Sequence, residues 1–314
     1  MRIEGMRIRH LISRTYHRLK HSLRFYFNET SLQEFVPRGH YYSPLPNIEQ
    51  TSQFLEKAAS QDRMAGLPGI NLRARDQRQL VKKIIDITSE FDWPVVKTDD
   101  RRYYTSQEWF NISDGIVLYS MLRLSLPKLV IEVGFGYSSS LMIDAREFKL
   151  KTDTKFIFID PHPEKIQMFI KADDLTAVTL LSKRVQEISP EVFDALSQGD
   201  ILFIDSSHVS KAGSDLNHII FNVLPKLAPG VLVHFHDVFW PFEYPVELVK
   251  RGVAWNEAYL LRAFLMFNCD FEIVLWPAYI GALDRASADA SLSKFRLHEG
   301  QSIWIRRALP REIA

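Results

Sequence analysis

Cysteine is almost absent from this chain: Cys269 stands alone among 314 residues. A single thiol excludes an internal disulfide framework and a cysteine-built zinc site, and points to a reducing compartment, the cytoplasm. No apolar run is long enough to span a bilayer, and no signal-peptide core follows the charged start. Charge of one sign is missing too. With 39 Lys+Arg against 38 Asp+Glu, no global field marks nucleic acid as the partner, and none is expected. What is present is 46% hydrophobic and 25% charged residues, the balance of a soluble globular chain with room for one α/β domain and an appended region.

The first segment, residues 1–30, is the exception to the even charge. It carries Arg2, Arg7, Arg9, Arg14, Arg18, Lys20 and Arg24 against Glu4 and Glu29, with Ile8, Leu11, Ile12, Leu19, Leu23 and Phe27 at helical spacing. This reads as a basic amphipathic arm. It reads as a device for peripheral contact with an anionic membrane surface or an acidic partner, or for packing on its own or a neighbouring subunit, which leaves a homo-oligomer open. Residues 31–105 form a loop-rich and helical extension: "VPRGHYYSPLPNIEQ" is turn-like and "QRQLVKKIIDITSEF" is helical.

From residue 106 onward a third segment begins, and the pattern becomes alternation. The strand candidates are "LVIEVG", "KFIFID", "AVTLL", "DILFIDSS", "GVLVHFHD", "FEIVLW" and "QSIWIRR", with helix-length stretches starting near Ser138, Pro163, Pro190 and Lys211. Continuous apolar strands alternating with helices predict a Rossmann-like, doubly wound α/β fold with a seven-stranded, mainly parallel sheet. Ligands of such sheets bind beyond the carboxyl ends of the strands, so those ends are where chemistry is expected.

The first strand runs into Gly134 and Gly136, followed by Tyr137, Ser138 and Ser139. Glycine there lets a ligand approach the backbone, and the helix that follows presents free amide donors. A dinucleotide turn would need a third glycine at Ser139 and has no acid inside the strand, so nicotinamide-dependent oxidoreduction is disfavoured. Glu132 suits a positively charged ligand instead, and Asp160, ending the second strand, suits a ribose diol.

On Glu132, Gly134, Gly136 and Asp160, the segment from Leu129 to about Arg307 resembles the class I S-adenosylmethionine-dependent methyltransferases, in particular those with a "GYSS" turn that act on small molecules at oxygen. The resemblance implies S-adenosylmethionine held by Glu132, Gly134, Gly136, Tyr137, Ser138, Ser139, Asp160 and Asp205. Gln186, in "RVQEI", is implied at the adenine edge. The acceptor implied is a small or sugar-containing molecule.

Asp205, His208, His236 and Asp237 end the fourth and fifth strands, and two chemistries compete for them. In one, Asp205 and Asp237 with His236 hold a divalent cation, magnesium or manganese, that lowers the acceptor's pKa, as the resemblance to metal-dependent O-methyltransferases implies. In the other, His208 or His236 is a general base, with Asp237 beside it. Phe239, Trp240, Phe242, Tyr244 and Trp255 are expected to wall the acceptor pocket, with Trp109 and Phe110 opposite. A non-catalytic methyltransferase-like domain docked through its basic arm is the remaining alternative. The intact glycine turn argues against it.

Overall fold

The structure, a computed structural model, describes residues 35–59, 66–287 and 300–310. The basic arm expected over residues 1–30 lies outside them. Two compact units result, Met1–Thr51 and Ser52–Ala314. In the first, residues 35–47 are turns and bends, and helix α1, Ile48–Ala59, begins near its end.

In the second unit, α2 (Ala74–Ile87) and α3 (Ile112–Ser125) precede strand β1 (Leu129–Val133) and helix α4 (Tyr137–Asp144). Strands β2 (Lys155–Ile159) and β3 (Val178–Leu181) follow, then α5 (Pro190–Asp194), β4 (Ile201–Ile204), α6 (Asp215–His218) and β5 (Leu232–Phe235). The chain continues through α7 (Val246–Lys250), α8 (Glu257–Leu265), β6 (Phe271–Leu275), α9 (Pro277–Ser287) and β7 (Ile303–Arg307). Each of the seven expected strands is present, and they form one sheet in the order β3-β2-β1-β4-β5-β7-β6. The pairs from β3 to β5 are parallel and β7 runs antiparallel to both its neighbours. Strand order reverses between β1 and β4, and it is at the carboxyl ends of strands at such a reversal that sheets of this kind bind ligands.

Burial explains the continuous apolar strands: every residue of β4 and β5 is buried, and Ile201, Leu202 and Phe203 are wholly so. Each such side chain contributes roughly 1.5–3 kcal/mol relative to exposure. The crossovers are less helical than the sequence suggests. The stretch from Pro163 forms only short 3₁₀ turns, Pro163–Met168 and Ala172–Thr176, and α5 has five residues. Pro163 and Pro190 each open such a segment without a long amphipathic run behind them, so one turn forms and stops.

The break expected after residue 105 falls inside the larger unit. Arg102, almost fully buried, explains why: its guanidinium pairs with Asp144 at 2.8 Å and with Asp174, and its own amide donates to Asp144. Buried Gln77 accepts from the Trp276 amide at 2.7 Å, and Asp114 of α3 accepts from Gln301 and Ser302 at the start of β7. The later part of the extension, from α2 on, is therefore wired into the sheet domain by buried polar side chains that pair with partners there. Among the described residues no helix is long and apolar enough to cross a membrane.

Candidate active site

The turn after β1 is shaped by its neighbour. Gly134 has φ 84°, donates its amide to Ile159 at 2.9 Å, and sits so close to Asp205 that a Cβ there would overlap the Asp205 carbonyl oxygen. The Asp205 amide donates back to Val133 at 2.9 Å. Only glycine fits, because both the left-handed backbone and the close approach exclude a side chain. Gly136 differs: its backbone is extended, and a Cβ would meet nothing within 4 Å, so this side of the turn is open. Its amide donates to Ser139 Oγ at 3.0 Å.

Glu132 is wholly buried, and its two oxygens face the hydroxyls of Ser138 and Ser139. Burial pushes its carboxyl up to about 8, against the pull of the two serine hydroxyls. The carboxyl therefore braces the turn through its two serines. Tyr137 completes the turn, its hydroxyl 3.0 Å from that of Tyr104.

Asp160 lies one residue beyond β2, where its Oδ1 accepts the His162 amide at 2.7 Å. Gln186, in a short 3₁₀ turn after β3, donates to Gly213 at 2.8 Å, while its buried Oε1 finds no protein partner. An orphan acceptor is what an exocyclic amine would satisfy. The open Gly136, the acid just beyond β2 and this acceptor together fit an adenosyl cofactor.

The second cluster surrounds one ring. Nε2 of His208 lies 3.3 Å from Asp205 and 3.6 Å from Asp237, and its Nδ1 lies 2.7 Å from Glu257. His208 and Asp237 both have left-handed backbones, φ 59° and 55°, the kind of strain that concentrates at functional sites. Burial would lower the His208 pKa, but hydrogen bonds to Asp205 and Glu257 outweigh it and hold the ring up at about 11. A ring held protonated is a donor, which favours that role over the base expected of it. For His236, burial is again outweighed, here by the charges of Asp205, Asp237 and Asp114, and its pKa is raised as well.

The two acids are driven apart. Burial raises the pKa of Asp237, with the two histidines offsetting part of the rise, whereas His236 and His208 overcome burial at Asp205 and lower its pKa. The metal set expected from the sequence is not assembled. His236 Nε2 stands 4.0 Å from Asp237, with the His208 ring between the two acids, and among the described residues no three His, Cys, Asp or Glu side chains meet so as to hold a metal ion.

The aromatic wall is partly as expected. Trp255 lies 4.5 Å from the His208 ring and Phe110 lies 5.3 Å from that of His236. Trp240 and Phe242 instead pack on Trp276 in the core, and Trp109 is exposed. Sequence reasoning missed Glu257, which is 1% exposed in the first turn of α8. Its only signal is an acid behind Asn256 at a helix start, a pattern that reads as ordinary capping.

Residues 131–238 match the family model described as a methyltransferase domain. An uncharacterized protein of Archaeoglobus fulgidus is 24% identical over 175 residues, covering 54% of this chain and 76% of its own. Two solved structures are also similar. The O-methyltransferase TomG from Streptomyces achromogenes, in complex with S-adenosylmethionine, has 14% identity and a TM-score of 0.38, with 74% of this chain and 90% of that one covered. The Podospora anserina methyltransferase PaMTH1, bound to S-adenosylhomocysteine, has 14% identity and a TM-score of 0.42, with 85% and 99% covered.

Proposed function

From the premise that this chain is a class I S-adenosylmethionine-dependent methyltransferase, we propose that it methylates a hydroxyl oxygen of a small or sugar-containing acceptor at the ends of β4 and β5. The observation that carries the reading is adjacency. The Gly134 backbone abuts Asp205, whose side chain meets His208, so the glycine turn and the His208 cluster stand side by side at the ends of β1 and β4.

Bound S-adenosylmethionine supplies an electrophilic methyl group on a sulfonium. The chain's own residues do the rest. Gly134 and Gly136 admit the cofactor to the backbone, Asp160 takes the ribose diol and Gln186 Oε1 takes the adenine amine. Asp237, 16% exposed and with a raised pKa, is the proton acceptor for the hydroxyl. Asp205 remains ionised and holds His208, so the pair divides the work between a base and an electrostatic anchor. Trp255 and Phe110 flank the acceptor and exclude water. Catalysis in this scheme is positioning plus removal of one proton, with no covalent nucleophile.

The compartment that fits is the cytoplasm, given one exposed, unpaired cysteine, and the basic arm stays our candidate for peripheral membrane or subunit contact. The test is calorimetry with S-adenosylhomocysteine and with NAD, then a screen of hydroxylated small molecules and sugars for S-adenosylhomocysteine formation. Binding of NAD alone, or a product methylated at nitrogen or carbon, would overturn the reading.

A further inference from the structure

The metal-dependent O-methyltransferases that the sequence resembles give the ends of β4 and β5 to a divalent cation. Magnesium needs oxygens at about 2.0–2.1 Å in near-octahedral array. In this chain the two acids point at a ring instead, with His208 Nε2 at 3.3 Å from Asp205 and 3.6 Å from Asp237.

That ring is not free to move aside. Its Nδ1 is 2.7 Å from Glu257, and the His208 carbonyl accepts the amides of Asn256 at 3.1 Å and Glu257 at 3.2 Å. Asn256 Nδ2 donates to the Ser210 carbonyl, which locks the same loop two residues later, and Trp255 packs on the ring. The start of α8 thus grips the loop after β4 through backbone, side chain and aromatic face at once. The fifth strand supplies His236 where an oxygen donor would suit magnesium, and its Nε2 stands 4.0 Å from Asp237.

We propose that His208, held by Glu257, occupies the place between Asp205 and Asp237 that the metal-dependent enzymes give to a cation, so that the acceptor site works without a resident metal. The inference rests on the methyltransferase reading. Glu257 is then a positioning residue, acting through His208.

The experiment uses the full chain and Mn²⁺ as the probe, followed by electron paramagnetic resonance, with S-adenosylhomocysteine calorimetry run beside it. Cofactor binding reports on the methyltransferase reading, and Mn²⁺ on the cation's place. Wild type is expected to show no saturable Mn²⁺ binding up to about 1 mM, the weak end of biological sites. His208→Ala should gain saturable binding and lose it again when Asp237→Asn is added. Glu257→Ala, which frees the ring, should gain it more weakly, and Glu257→Gln, which keeps the hydrogen bond, should not. Should His208→Ala fail to bind S-adenosylhomocysteine through misfolding, His208→Asn replaces it. Saturable Mn²⁺ binding by wild type, or a folded His208 variant that gains none, overturns the proposal.

Discussion

The backbone of Gly134 lies against the carbonyl oxygen of Asp205, and this contact joins the glycine turn after β1 to the end of β4. Two strands meet there at the reversal of the sheet order, so the turn is fixed by the fold on one side and open at Gly136 on the other. Gly134→Ala should therefore cost more than lost flexibility. A left-handed non-glycine residue costs about 1–3 kcal/mol, and the overlap with Asp205 adds to it. The expected outcome is a lower thermal midpoint together with loss of S-adenosylhomocysteine binding. Wild-type values of both would refute the steric argument.

Glu132 makes a prediction about pH. Its carboxyl is raised by burial from an ordinary 4.5 to about 8. Below the ordinary range both folded and unfolded states hold the proton, and no penalty arises. Between about 4.5 and about 8 only the folded state keeps it, so stability falls by up to about 1.4 kcal/mol per pH unit as pH rises. Glu132→Gln keeps one acceptor, offers a donor to the other serine and cannot ionise. Its thermal midpoint should match wild type near about pH 5 and exceed it increasingly toward about pH 8. A constant difference across that range would refute the buried, neutral carboxyl.

Cofactor contacts at the two strand ends should separate by kind. Asp160→Ala removes a charged acceptor and should weaken S-adenosylhomocysteine binding by roughly 1.5–3 kcal/mol, whereas Gln186→Ala removes a neutral one and should cost roughly 0.5–1.5 kcal/mol. Calorimetry reads both. Equal affinities for the two variants and wild type would move the adenosyl site elsewhere.

Much of this was legible in the sequence. Short apolar runs such as Ile201–Ile204, alternating with helix-length segments, read as strands buried on both faces, and Gly134 announces itself by position after one of them. Asp205, His208, His236 and Asp237 were readable as convergent because strand ends converge in such sheets. What no pattern could show is which of them touch. The Glu257–His208 contact joins residues 49 apart, and Arg102 reaches Asp174 across 72, through loops whose course depends on packing. A local motif carries no information about such a partner. The charge of His208 follows from Asp205 and Glu257 together, and the second of these partners was hidden.

The last prediction concerns the proton. If Asp237 accepts it, Asp237→Asn keeps the shape of the site, leaves S-adenosylhomocysteine affinity unchanged and lowers turnover on the order of 10² to 10⁴-fold, the usual worth of general-base assistance. The pH profile gives the independent check. Burial raises the Asp237 pKa above its ordinary 3.8, so the base is lost as pH falls through that raised value, and the acid limb should lie above the ordinary aspartate range. The Asp205 pKa is lowered and the group stays ionised across the same window, so it does not itself set the limb; Asp205→Asn should reduce the rate through His208 and move the limb only by removing a charge that helps raise Asp237. His208→Gln should likewise slow turnover without creating or removing a limb near neutrality, because the ring is protonated throughout that range. Turnover is read as S-adenosylhomocysteine formed on an acceptor from the screen. A limb that survives Asp237→Asn at full rate would assign the base to another group.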